Sequence, residues 1–153
     1  NTSLSWKGFD LSAIFAYSIG GYIYNRDITM ILHNGSLEGR DWSTEILKRW
    51  TPENRYTDVP ALSTTSNNWN SASTRFLQNN SYMRLKNLTL SYDLPKQWIS
   101  KLALSSVQVF VQGDNLFTIH RNQGLDPEQG ITGITYYRYP AMRTISGGIN
   151  LSF

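Results

Sequence analysis

The sequence predicts an all-β chain: antiparallel transmembrane strands forming a segment of a β-barrel. Three observations predict it. Apolar and polar residues alternate with period two over several long runs, the mark of strands with two different faces. The runs extend over about 9–13 residues, against the ~9–11 that a tilted strand needs to cross a membrane. Their connections alternate short, long, short, long.

Five strands follow, around residues 1–7, 9–22, 82–94, 105–118 and 140–153. In the first, Leu4 and Trp6 share a face. Lys7-Gly8 reads as a tight hairpin turn, with glycine supplying the positive φ such turns need. In the second, Phe9, Leu11, Ala13, Phe15, Tyr17 and Ile19 alternate with Asp10, Ser12, Ile14, Ala16, Ser18 and Gly20. A long connection over 23–81, rich in Asn, Ser, Thr and Gly, holds a short helix near Thr44–Trp50 with Ser43 or Thr44 as its cap. In the third strand Leu88, Leu90 and Tyr92 alternate with Asn87, Thr89, Ser91 and Asp93. Residues 94–104 make a compact link of one or two helical turns, with Pro95 at the first position. In the fourth strand Val107, Val109 and Val111 oppose Gln108 and Gln112. A second long connection, 119–139, precedes the last strand. There Ile145, Gly147, Ile149, Leu151 and Phe153 fall opposite Thr144, Ser146, Gly148, Asn150 and Ser152.

All short turns thus lie at one end of the sheet and all long loops at the other. A soluble β-sandwich has turns of similar length at both ends and strands of ~5–6 residues. Outer-membrane barrels combine short periplasmic turns, long outer loops and aromatic girdles. With the short turns in the periplasm, Trp6, Phe9, Tyr92 and Trp98 fall at the lower interface. Tyr17, Tyr22, Tyr24, Tyr82, Phe117 and Tyr139 fall at the upper one. Five strands cannot close, since bacterial barrels start at about 8, and both ends of the chain lie in alternating runs. The expectation is a part, residues 1–153, of a larger multi-pass barrel in a bacterial outer membrane.

Composition narrows the function classes. Only 16% of residues are charged, below the ~25% of an average soluble domain, while 13% are aromatic. With 17 Ser, 13 Thr and 13 Asn the chain is uncharged-polar plus aromatic, unlike a coiled coil or a charged disordered tail. The absence of cysteine removes disulfides and cysteine-based zinc sites. The net charge of +3 is spread along the chain, which argues against nucleic acid as a partner.

Several runs resemble one family. They are Arg75-Phe76-Leu77-Gln78-Asn79-Asn80-Ser81-Tyr82-Met83-Arg84-Leu85-Lys86-Asn87-Leu88-Thr89-Leu90-Ser91-Tyr92-Asp93-Leu94-Pro95 and Val109-Phe110-Val111-Gln112-Gly113-Asp114-Asn115-Leu116-Phe117-Thr118. Gly124-Leu125-Asp126-Pro127-Glu128, Trp50-Thr51-Pro52-Glu53-Asn54, and Tyr139-Pro140 leading to Leu151-Ser152-Phe153 join them. In order and register they resemble the C-terminal region of SusC/RagA-type TonB-linked outer-membrane proteins of Bacteroidetes. The resemblance implies the last strands of a barrel of about 22 strands filled by a plug. It implies energy supplied through TonB, a SusD-like surface lipoprotein as lid, and import of oligosaccharides or peptides. The plug, the TonB-contacting segment and the remaining strands of that pattern are not in this sequence.

Catalytic signatures are missing. There is no Gly-x-Ser-x-Gly elbow, phosphate loop or histidine pair, and no enzyme is expected. His33 and His120 read as solvated loop residues. Asp126 and Glu128 flank Pro127, as in a turn with exposed carboxylates, with calcium as a weaker reading and no other cofactor expected. The loop aromatics Trp42, Trp50, Trp69, Tyr136 and Tyr137 are candidate contacts for substrate or for a lid protein. Phe153, a terminal aromatic closing an alternating strand, resembles the C-terminal signal read by the barrel-assembly machinery. The alternative is a secreted β-sandwich that binds carbohydrate through exposed aromatics. A sandwich buries Ile145, Ile149 and Leu151 against a second sheet, whereas a barrel leaves them to lipid.

Overall fold

The alternating runs form one antiparallel sheet of five strands, Thr2–Trp6, Phe9–Ser18, Tyr82–Asp93, Ser106–His120 and Thr144–Ser152, hydrogen-bonded side by side in that order. A computed structural model describes residues 1–153 except 34–36, 38, 64, 66–70, 101–103, 123–125 and 129–131. The chain divides into two compact units, 1–20 with 80–121 and 140–153, and 21–79 with 122–139.

The first unit is the five-stranded sheet. β1 (Thr2–Trp6) and β2 (Phe9–Ser18) form a hairpin closed by Lys7 at φ 47° and Gly8 at φ 86°. Two consecutive positive φ angles are the geometry whose twist matches a right-handed strand pair. β5 (Tyr82–Asp93), β6 (Ser106–His120) and β8 (Thr144–Ser152) complete the sheet. Between β5 and β6 lies α2 (Lys96–Ile99), with Pro95 as its N-cap, one position earlier than the sequence suggests. Connections therefore alternate short and long, as expected.

Register assigns the faces. Leu4 pairs with Leu11, Leu11 with Leu90, Leu90 with Val111, and Val111 with Gly147. Most neighbouring positions are polar, with Ile14 and Phe110 (the latter against Gly148) as apolar exceptions, so one face of the sheet is apolar and the other mainly polar. Alternation survives an irregularity that breaks it in sequence. Phe15 pairs with Leu85 but Ile14 with Asn87, so Lys86 is an extra residue on β5. Opposite it, Asn115 and Leu116 stand between Asp114, paired with Asn87, and Phe117, paired with Leu85. These bulges switch parity, so that Met83 and Leu85 join Leu88, Leu90 and Tyr92 on one face. Asn115 adopts φ 51°, and its amide donates to the Met142 carbonyl at 3.2 Å.

The apolar face is bare. Ile145 is 72% exposed and Ile149 63%, and Leu4, Trp6, Val109, Val111 and Leu151 are exposed as well. Among the described residues no second sheet buries these side chains, contrary to the sandwich alternative. Phe9 and Tyr92 pack ring on ring at 4.4 Å near the turn end. Phe15, Tyr17 and Phe117 occupy the loop end of the same face. The upper girdle needs correcting, because Tyr82 pairs with Ser18 and His120 on the polar face. Tyr22 and Tyr24 leave this sheet altogether, and so does the expected strand 9–22, which stops at Ser18. Gly20 and Gly21, at φ 82° and 76°, turn the chain away.

The second unit is built from the two long connections, which fold instead of remaining plain loops. β3 (Tyr22–Asn25) lies between β4 (Leu77–Asn79), antiparallel to it, and β7 (Ile134–Thr135), parallel to it. That parallel pair lies within the long connections; the five strands of the first unit are antiparallel throughout, as expected. Asn25 caps α1 (Arg26–Ile31), its side chain accepting the Ile28 N–H at 3.1 Å. A 3-10 helix, Thr44–Lys48, begins at Ser43, which accepts the Glu45 N–H at 3.3 Å. The core comprises Ile23, Leu32, Ile46, Val59 and Phe76, with Tyr24 edge-on to Phe76 at 6.1 Å.

Candidate functional site

Two surfaces carry polar chemistry, one in each unit. On the polar face of the sheet, side chains that alternation places side by side are hydrogen-bonded into a ladder. Asn87 Nδ2 donates to Asp114 Oδ1 at 2.8 Å, and Thr89 Oγ1 donates to Asn87 Oδ1 at 3.0 Å. Gln112 Nε2 reaches both Asp114 oxygens at 3.3 Å. Nearer the turn end, Gln108 Nε2 donates to Asp93 Oδ1 at 2.9 Å, and Asn150 Nδ2 donates to Gln108 Oε1 at 3.2 Å. Ser5 hydrogen-bonds to Asp10. Toward the loop end, the buried Arg84 donates from Nε to Thr118 Oγ1 at 3.0 Å. Amides satisfying carboxylates across strands suit a hydrated or polypeptide-covered surface, not hydrocarbon.

In the second unit a tyrosine tip is built by α1. β7 runs beside β3, pairing Tyr24 with Ile134 and Asn25 with Thr135, and this brings residues 136 and 137 to the first turn of α1. There the Arg26 guanidinium lies 4.7 Å from the centre of the Tyr136 ring. Asp27 Oδ1 accepts the Tyr137 N–H at 3.0 Å. Tyr137 is held at φ 46°, a conformation that costs a bulky residue about 1–3 kcal/mol. The Tyr136 and Tyr137 rings lie 4.3 Å apart, tilted by 50°, and Arg40 Nη1 stands 3.4 Å from the Tyr137 hydroxyl. Tyr137 borders two hollows, one also lined by Asp27, Arg138 and Tyr139, the other by Met30, Arg40 and Asp41. Each offers a guanidinium and a carboxylate beside an exposed aromatic ring.

Among the described aromatic candidates, only Tyr136 and Tyr137 come together. Trp42 stands edge-on to His33 at 5.1 Å. Trp50 is elsewhere in the unit, its N–H bonded to the Val59 carbonyl at 2.8 Å and its ring partly exposed. Trp69 lies outside the described residues. His33 corrects the reading of a solvated histidine: it is fully buried, and its Nδ1 accepts the Leu37 N–H at 3.2 Å. Asp126 Oδ1 accepts the Glu128 N–H at 2.9 Å around a buried Pro127, the turn that the sequence suggests, but Asp126 and Glu128 are half-buried and not exposed. Phe153 is fully exposed just beyond β8. Sequence reasoning missed Arg26, Asp27 and Arg40; the Asn25 cap with an acidic residue two positions later was the available signal.

No family model matches the chain. Relatives do. TonB-dependent receptor P3 of Formosa agariphila is 32% identical over 164 residues, which covers 100% of this chain and 16% of that protein. TonB-dependent receptor SusC of Bacteroides thetaiotaomicron is 28% identical over 99% of this chain and 14% of its own length. Among solved structures, the RagAB peptide transporter superposes with a TM-score of 0.84 at 35% identity, over 97% of this chain and 16% of that one. The RagAB importer in its open-open state gives 0.85. The chain thus spans about a sixth of these relatives, and the part it matches is barrel wall. Strand order, two-faced sheet, matching sequence and matching structure agree: the chain belongs to the SusC/RagA family of TonB-dependent receptors.

Proposed function

We propose that the chain is the C-terminal part of the barrel of an outer-membrane importer, working with a plug, TonB and a SusD-like lipoprotein. The apolar face meets lipid, and the hydrogen-bonded polar face lines the lumen against water or plug. The short turns lie in the periplasm and the second unit lies outside the cell. The observation that carries this reading is the sheet's asymmetry: large apolar side chains exposed on one face, amide–carboxylate ladders on the other. Water penalises the first, and hydrocarbon penalises the second.

The imported cargo is an oligosaccharide or a peptide, and the Tyr136–Tyr137 tip is the contact for cargo or lid. Its strained backbone, fixed by Asp27, presents two rings and flanking charges without further ordering, which lowers the entropy lost on binding. Solved relatives are described as a peptide transporter, which favours peptide cargo by analogy.

Topology tests the reading as a whole. Cysteines at Glu53 and Gln97, both exposed, should differ in intact cells toward an impermeant maleimide. Glu53→Cys should react and Gln97→Cys should not. Labelling of Gln97→Cys alone would invert the orientation and defeat the proposal.

A further inference from the structure

We infer that the apolar face carries a seat for one acyl chain of a phospholipid of the periplasmic leaflet. The inference rests on the outer-membrane reading above and goes beyond general contact with lipid. Two neighbouring cross-strand rows define the seat. One runs Leu11–Leu90–Val111–Gly147, the other Ala13–Leu88–Gly113–Ile145. Large residues stand at most positions, but Ala13, Gly113 and Gly147 lower the floor between them.

The bulge completes the hollow. Leu116, one of the extra residues of β6, folds its side chain over Gly113: a Cβ at that glycine would lie 2.6 Å from Leu116 Cδ2. A side chain at 113 would push the end of Leu116 aside, so glycine there lets Leu116 lie over it as a wall. The resulting hollow is bordered by Leu11, Leu88, Leu90, Val111, Leu116 and Ile145. Gln112 also borders it, but its amide turns to the opposite face and onto Asp114. Nothing in these walls satisfies a headgroup, so the ligand is hydrocarbon.

Position selects the source. The Phe9–Tyr92 row flanks the hollow toward the turn end, and the Phe15–Leu85–Phe117 row flanks it toward the loop end. The hollow thus lies within the apolar band, not at its margin. Leu11 is two positions from the start of β2 at Phe9 and seven from its end at Ser18. The chain of a lipid anchored at the turn end, which is the periplasmic side, reaches it over the shorter distance. A bulge and a glycine that shape a recess in the middle of an otherwise continuous apolar wall distinguish this place from the smooth band around it.

The test is native mass spectrometry of the intact transporter in mild detergent, with heat-modifiability confirming folded barrel. Wild type should retain one phospholipid. Val111→Phe, which fills the recess while keeping the face apolar, should cut occupancy about tenfold. Leu116→Ala, which removes a wall, should weaken retention without adding bulk. Leu4→Phe, on the same face outside the recess, should leave retention unchanged. Equal retention in wild type and Val111→Phe, no retained phospholipid, a glycolipid in its place, or a dimer through this face would each overturn the inference. A protein that purifies without detergent would instead sink the membrane reading itself.

Discussion

The two units of this chain solve the same problem in different solvents. The second unit turns its large apolar residues inward: Ile23, Leu32, Ile46, Val59 and Phe76 are buried, as in any water-soluble fold. The five-stranded sheet does the reverse. Trp6, Phe9, Leu11, Val109, Ile145 and Ile149 stand exposed, while amides and carboxylates bond to one another on the other face. A buried core lends stability from within, through apolar surface withdrawn from water. A one-faced sheet draws it from the surrounding hydrocarbon and from strand pairing. Substitutions of similar size should therefore fail by different routes in the two units.

Phe76→Ala should have the largest effect. It empties a site that is 1% exposed and should cost about 3–5 kcal/mol. Protease added to intact cells should then cut within 21–79 readily, while heat-modifiable barrel persists. Loss of the barrel as well would mean that the units do not stand on separate stability. Val109→Arg comes next, at about 1 kcal/mol, below the ~2–4 kcal/mol of a midplane site because Val109 pairs with Tyr92 in the row beside the turn end. Its neighbour Gln108→Arg should be tolerated, because one position flips the face. Folded barrel recovered from membranes measures both, and equal tolerance would erase the contrast between units.

The comparison also shows what a sequence displays. Period-two alternation exposed the strand set and its faces, because most of β1, β2, β6 and β8 obeys it, Ile14 and Phe110 being apolar exceptions and Asn115-Leu116 the interruption in β6. It could not expose the bulge. Met83 and Leu85 are odd-numbered, whereas Leu88, Leu90 and Tyr92 are even, and the switch depends on Lys86 lacking a partner on β2. The second unit had no readable period: its core residues lie far apart in sequence and meet only through tertiary folding. His33 was misread for that reason, since a histidine among polar loop residues gives no sign of burial. The tyrosine tip was half legible. Adjacent aromatics at 136 and 137 marked it, but Asp27, in the helix that holds them, lies 110 residues before Tyr137.

A smaller change sharpens the contrast inside the second unit. Asp27→Ala removes the acceptor for the Tyr137 N–H and should cost about 1 kcal/mol. Chymotrypsin should then cut after Tyr136 or Tyr137 several-fold faster in intact cells, with barrel amount unchanged. Tyr137→Gly should relieve the positive φ and leave the unit at least as stable, yet weaken cargo or lid binding. Stable protein with unaltered binding would show that the strained tip serves only the loop's own fold.

The central claim, that one face of the sheet meets lipid and the other does not, is tested most directly by spin labels along β5. Single labels at 83, 84, 85, 88, 89 and 90 in the assembled protein would be relaxed by oxygen, which enriches in hydrocarbon, or by a water-soluble nickel chelate. Oxygen should dominate at 83, 85, 88 and 90, and nickel at 84 and 89, so that the favoured parity changes between 85 and 88. Unbroken alternation through the bulge, or equal access at all six positions, would contradict the account.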